Sequence, residues 1–248
     1  IVCQTGGLAL LGLELPDTVN EGDRLEFRAE WNALRQPEDD FQATWAVLDP
    51  AGTPVTTLAG PLAIGSRTDL WPRFTWARAP VALDLPPRLP AGVYSLTLLL
   101  KGQRAGPVDC GPVAQVAVAA RPRSYSIPAL PQRLEADFGA TIRLLGYDVE
   151  QDRRAASLTL TLWWQAIQAP DRDLKRFVHL YDAETEVIGA QDDAMPRAWT
   201  YPTSWWTAGE VVSETVVLQL AEVAAGSYSL GIGWYDPETS VRLPIVTT

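Results

Sequence analysis

The chain is written twice. Leu10-Leu11-Gly12 returns as Leu144-Leu145-Gly146, and Trp31-Asn32-Ala33 as Trp164-Gln165-Ala166. Leu48-Asp49 returns as Tyr181-Asp182, and Ala91-Gly92-Val93-Tyr94-Ser95-Leu96 as Ala225-Gly226-Ser227-Tyr228-Ser229-Leu230. The offsets are 134, 133, 133 and 134, and Trp71 matches Trp205 at 134. Ordered matches at one spacing in a 248-residue chain mean two copies of one unit, each of ordinary domain size. The join falls where Arg121-Pro122-Arg123-Ser124-Tyr125-Ser126-Ile127-Pro128 and Pro131 deny the backbone ladder donors. We expect a first domain over residues 1–120 and a second over 121–248, with a proline-containing linker at about 121–137.

Within each copy the apolar period is two. Leu25, Phe27, Ala29 and Trp31 alternate with Arg24, Glu26, Arg28 and Glu30, and Leu158, Leu160, Leu162 and Trp164 repeat the pattern. Phe41–Val47 and Leu174–Leu180 form a second matched pair of strands, and Tyr94–Leu100 with Tyr228–Trp234 a third. Turn signals such as Glu21-Gly22-Asp23, Asp49-Pro50-Ala51-Gly52 and Pro90-Ala91-Gly92 separate them. No amphipathic segment of helical period and length stands out. The fold class expected is all-β: two tandem antiparallel β-sandwiches, immunoglobulin-like or jelly-roll-like, of about seven strands each.

Composition excludes several function classes. A net charge of −10, divided 9 basic to 13 acidic over residues 1–120 and 11 to 17 over residues 121–248, is a poor match for nucleic acid. One His and two Cys are too few for a zinc site of His and Cys. There is no phosphate-binding loop and no G-x-S-x-G turn, so no cofactor, no metal and no catalytic residue is assigned. Asp171-Arg172-Asp173 and Asp236-Pro237-Glu238 offer oxygens to a calcium ion but lack the spacing of a calcium loop. His179 is the single histidine; the first copy has Ala46 in its place, so we read it as a hydrogen-bonded strand residue.

Two sets of residues carry candidate roles. Cys3 and Cys110 lie near the first and last strands of the first copy, where a disulfide is geometrically feasible; two buried thiols are the alternative. Trp199, Tyr201, Trp205 and Trp206 crowd one segment between strands, a few residues after Asp192 and Asp193. Exposed aromatic faces stack on the C–H faces of sugar rings, and carboxylates accept hydrogen bonds from hydroxyls. Trp205 has a counterpart in Trp71 and is expected to plug the sandwich edge. Trp199, Tyr201 and Trp206, with Asp192 and Asp193, are therefore the candidate ligand-binding residues. The competing reading makes the whole loop structural.

The second copy also resembles a known family. The residues that carry the likeness are Ile142-Arg143-Leu144-Leu145-Gly146-Tyr147-Asp148, Leu160-Thr161-Leu162-Trp163-Trp164-Gln165-Ala166, Phe177-Val178-His179-Leu180-Tyr181-Asp182, Tyr201-Pro202-Thr203-Ser204-Trp205 and Gly233-Trp234-Tyr235-Asp236. Over roughly residues 135–248 the chain is similar to the soluble C-terminal region of bacterial protein-mannosyltransferase-like membrane glycosyltransferases. In that family the catalytic acids sit in the membrane region, so the resemblance implies a non-catalytic, extracytoplasmic accessory module. Its implied partners are a glycan or lipid-linked sugar and a membrane-embedded domain. Residue 1 is Ile rather than Met, so the membrane tether is expected in upstream sequence. A purely structural spacer and a hydrolase using two carboxylates are the alternatives.

Overall fold

A computed structural model of the chain describes residues 1–63 and 65–246. It comprises two compact units, Ile1–Arg121 and Pro122–Thr248. The first holds β1 (Cys3–Thr5), β2 (Leu8–Glu14), β3 (Thr18–Asn20), β4 (Arg24–Ala33), β5 (Phe41–Leu48), β6 (Pro54–Pro61), β7 (Trp76–Asp84), β8 (Gly92–Gly102) and β9 (Val108–Ala119). They form a four-stranded sheet, β1-β2-β4-β7, and a five-stranded sheet, β3-β9-β8-β5-β6. The period of two explains the layering. Leu25, Phe27, Ala29 and Trp31 of β4 and Phe41, Ala43, Trp45 and Val47 of β5 are all buried between the sheets. Trp45 meets Phe27 and Trp31 edge-on, at 5.1 and 6.4 Å between ring centroids. Such pairs add about 0.5–1.5 kcal/mol beyond the area they bury.

The second unit holds β10 (Gln132–Phe138), β11 (Ile142–Asp152), β12 (Ser157–Ala166), β13 (Lys175–Asp182), β14 (Ile188–Ala194), β15 (Val211–Gln219), β16 (Tyr228–Tyr235) and β17 (Ile245–Val246). Its sheets are β15-β12-β11-β10-β17 and β14-β13-β16. The shared order is plain: β10-β11-β12-β15 repeats β1-β2-β4-β7, and β14-β13-β16 repeats β6-β5-β8. Both units are antiparallel β-sandwiches, save for the short parallel pairing of β3 with β9. β10 begins at Gln132, directly after Pro131, so pairing resumes inside the stretch expected to be linker.

The repeated motifs have specific mechanical causes. In Leu-Leu-Gly the middle leucine is a bulge: the register slips between Leu10 and Gly12 against β4, and between Leu144 and Gly146 against β12. A Cβ on Gly146 would lie 2.3 Å from the Gln132 carbonyl oxygen, so β10 closes against it only because that position is glycine. The tyrosine of Ala-Gly-x-Tyr-Ser-Leu donates its hydroxyl to a carbonyl four residues back, Tyr94 to Pro90 and Tyr228 to Ala224, both at 2.9 Å. This is the corner tie of immunoglobulin-type sandwiches. Asp49 Oδ1 accepts from the Ala51 and Thr53 amides, and Asp182 Oδ1 from those of Glu184 and Thr185, closing equivalent turns.

The copies differ at their edges, where β17 lies beside β10 in the second unit alone and β9 beside β8 in the first alone. In the first, β9 runs along β8, and Cys110 on β9 is joined by a disulfide to Cys3 on β1, with 5.6 Å between their Cα atoms. The bond ties one sheet to the other. Among the described residues of the second unit no strand covers β16 in the way β9 covers β8.

Candidate functional site

The aromatic loop before β15 divides sharply. A short 3-10 turn at Thr203–Trp205 is followed by Trp206, and its partner in the first unit is a turn at Thr68–Leu70 followed by Trp71. The hydrogen bonds repeat. Thr203 Oγ1 accepts from the Leu174 amide and donates to the Arg172 carbonyl; Thr68 Oγ1 accepts from the Phe41 amide and donates to the Asp39 carbonyl. The structural counterpart of Trp71 is therefore Trp206, at an offset of 135, and not Trp205. Trp206 is 0% exposed, its indole N–H donates to the Tyr201 carbonyl, and its ring meets Trp234 edge-on. Tyr201 is buried as well, and its hydroxyl donates to Glu210 at 2.7 Å. Burial, then the Glu210 carboxylate, hold that phenol far above its ordinary titration range. Tyr201 and Trp206 thus leave the set of ligand candidates: they are core, and truncating such a tryptophan costs about 3–5 kcal/mol.

Trp199 differs. It is 54% exposed and ends a run of three left-handed residues, Arg197, Ala198 and Trp199, with φ of 51, 50 and 72°. Each such residue costs roughly 1–2 kcal/mol when it is not glycine. The turn is held by the Trp199 amide on the Met195 carbonyl and by the Arg197 amide on Glu214. It presents the indole face to Lys175, whose Nζ sits 4.6 Å from the ring centroid.

Asp192 and Asp193 go to opposite faces of β14, as the period of two requires. Asp192 lies on the side of Arg176, whose guanidinium reaches its carboxylate at 2.6 Å and Glu214 at 3.3 Å. Glu214 also accepts the Trp164 indole N–H at 2.8 Å. This buried network occupies positions held by Ala43 and Ala79 in the first unit. Asp192 is committed to it, and the expected pairing of Asp192 with Asp193 at one site does not occur.

Asp193 points to the outer face of β14-β13-β16, where the structure gathers a group that sequence reasoning left dispersed. Lys175, Phe177, His179 and Tyr181 alternate along that face of β13. Opposite Phe177 and His179 the register places Gly233 and Gly231 of β16. A Cβ on Gly233 would stand 2.5 Å from the Phe177 ring, and one on Gly231 2.6 Å from Tyr181, so these glycines are the floor on which the rings lie. His179 Nε2 is 2.8 Å from Asp193 Oδ1, and its Nδ1 is 3.0 Å from the Tyr181 hydroxyl. Both ring nitrogens are engaged. Arg242 lays its guanidinium 4.4 Å above Phe177. Burial, and next the Asp193 charge, raise the Tyr235 phenol above its usual value. Phe177, His179, Asp193, Tyr235, Ser240 and Arg242 line an open depression of about 240 Å³. At the matching register positions of the first unit stand Thr44, Ala46 and Ala59, in place of Phe177, His179 and Asp193.

The remaining carboxylates have structural partners. Glu30 binds Arg78, Asp236 caps the Glu238 amide, and Arg172 lies between Asp171 and Asp236, filling with a guanidinium the place considered for calcium. Among the described residues no cluster of three or more His, Cys, Asp or Glu is arranged to hold a metal, and no helix is long and apolar enough to cross a membrane.

No family model and no curated protein matches the chain. Similar solved structures include the C-terminal domain of wzt, at 14% identity and a TM-score of 0.37, covering 52% of this chain and 84% of that one. Another is red sea bream transglutaminase, at 12% identity and a TM-score of 0.30, covering 94% of this chain and 29% of that one.

Proposed function

We propose that the chain is a non-catalytic recognition module whose second unit binds a glycan on the outer face of β14-β13-β16. The observation that carries this reading is the open depression above Gly231 and Gly233, where Asp193, Tyr235, Ser240 and Arg242 converge over a buried base of Phe177 and His179, 8% and 7% exposed. The half-buried Tyr235 ring offers dispersion and electrostatic attraction to the C–H face of a sugar, while a carboxylate and a guanidinium bond its hydroxyls from the rim. Trp199 beside Lys175 extends the aromatic surface at the Lys175 end of β13. His179, with both nitrogens bonded, serves as a rigid part of the floor, which suits binding better than proton transfer. The likeness of residues 135–248 to the soluble C-terminal region of mannosyltransferase-like membrane enzymes supports a glycan or lipid-linked sugar, presented beside a membrane-embedded partner domain. The Cys3–Cys110 disulfide supports an extracytoplasmic location.

Titration of soluble oligosaccharides against the chain, followed by tryptophan fluorescence, tests the reading. A binder should weaken at least about tenfold in Asp193→Ala and in Trp199→Ala, a loss of about 1.4 kcal/mol. Binding unchanged in both variants, or no binder at millimolar sugar, would overturn it.

A further inference from the structure

The first unit is a reference for most strands of the second, and two of its strands, β3 and β9, have no counterpart among the described residues. β9 covers β8 from Gly92 to Leu100, with Val118, Val116 and Ala114 opposite Gly92, Tyr94 and Leu96. Val116 and Val118 are 1% and 2% exposed. β16 repeats β8, yet among the described strands it pairs only with β13. The chain touches its other edge at Tyr235 through Arg242, and then Ile245–Val246 joins β10 instead. Tyr228–Gly233 is left with an open edge, and the core registers the loss. Leu96 and Leu98 are 0% and 1% exposed, whereas their counterparts Leu230 and Ile232 are only half-buried. An open groove of about 610 Å³ lies there, lined by Gly226, Tyr228 and Leu230 on the β16 side and by Arg153, Leu158 and Leu220 across from it. Gly226, Tyr228 and Leu230 hold the register positions that Val118, Val116 and Ala114 cover in the first unit.

We propose that this edge accepts an extended peptide of a partner protein, added antiparallel to β16. Its inward residues would be small or β-branched apolar side chains at alternate positions, as in Val116-Ala117-Val118, and its C-terminal end would be acidic. Strand addition supplies affinity through backbone hydrogen bonds, and alternate side chains set the specificity. The sign of the charge comes from the repeat. In the first unit Arg121, just past β9, binds the Glu21 carbonyl and the Asp23 carboxylate. The matching loop of the second unit carries Arg153 and Arg154, exposed and in no ion pair among the described residues, so the preference is reversed. Pairing between copies is disfavoured, because each chain carries −10.

The probe is a fluorescent peptide of sequence Pro112–Ala119 with two glutamates added at its C-terminus, titrated against the whole chain by anisotropy. We expect saturable binding with slowed amide exchange along β16. Binding should fall at least tenfold for the double variant Arg153→Glu, Arg154→Glu, whose exposed sites leave folding intact, and that variant should prefer a lysine-ended peptide. Leu230→Glu should abolish binding while circular dichroism stays that of the parent. A proline-interrupted peptide that binds equally well would refute strand addition. So would absence of saturable binding at millimolar peptide, or a chain that sediments as a dimer dissociated by Leu230→Glu.

Discussion

Single residues settle which parts of this chain are scaffold and which are exposed for recognition. Asp39 is tucked against the Ala105 amide at 2.7 Å and the Arg104 amide at 2.6 Å, and these bonds, the Ala105 one foremost, hold its carboxyl down at about 2. A carboxyl whose titration is lowered on folding stabilises the fold above its unfolded value near 3.9 and loses that contribution as pH falls toward 2. Asp39→Asn should therefore melt below the parent at pH 6, with the gap closing between pH 4 and 2; a gap that persists at pH 2 would show that packing is responsible. Ala198 sits at φ 50° in the strained turn under Trp199. Ala198→Gly should raise stability by about 0.5–1 kcal/mol, read as a higher Tm, because glycine takes that conformation freely. The sequence misled most at this scale. A constant offset pairs Trp71 with Trp205, and a one-residue slip in the loop makes Trp206, a core residue, look like a spare aromatic. The split of Asp192 from Asp193, by contrast, was legible from the period of two alone.

At the level of strands, the alternation of apolar residues foretold β4, β5 and β8 and their partners β12, β13 and β16, because burial between two sheets imposes it. The outer face of β13 was harder to read. Phe177, His179 and Tyr181 look like ordinary outward residues until the register sets Gly233 and Gly231 beside them. A signal was present: Leu230-Gly231-Ile232-Gly233 puts glycine at alternate positions of a strand, where it weakens pairing unless something must lie across it. Gly233→Ala should push the Phe177 ring off its floor. We expect a loss of roughly 1–3 kcal/mol from overpacking, together with weakened sugar binding. The same substitution at Gly60, where a Cβ meets nothing within 4 Å, should leave binding unchanged. Thermal melts and the oligosaccharide titration on both variants check this.

For the whole molecule, the two cores share no residue, each being built from its own sandwich. The disulfide belongs to the first alone and closes a loop of 107 residues, a constraint worth up to about 4–5 kcal/mol in the chain-entropy view. Reduction, or Cys3→Ser with Cys110→Ser, should lower the melting of the first unit and leave that of the second in place. Calorimetry resolving one shifted and one unshifted transition is the expected result; equal shifts in both would contradict it. The same bond also imposes a schedule on synthesis. A chain emerging at about 5–20 residues per second presents Cys3 for roughly 5–20 seconds before its partner exists, and β1 cannot be locked to the far sheet until β9 has been made. The earliest thiol to appear waits for the last strand of its unit.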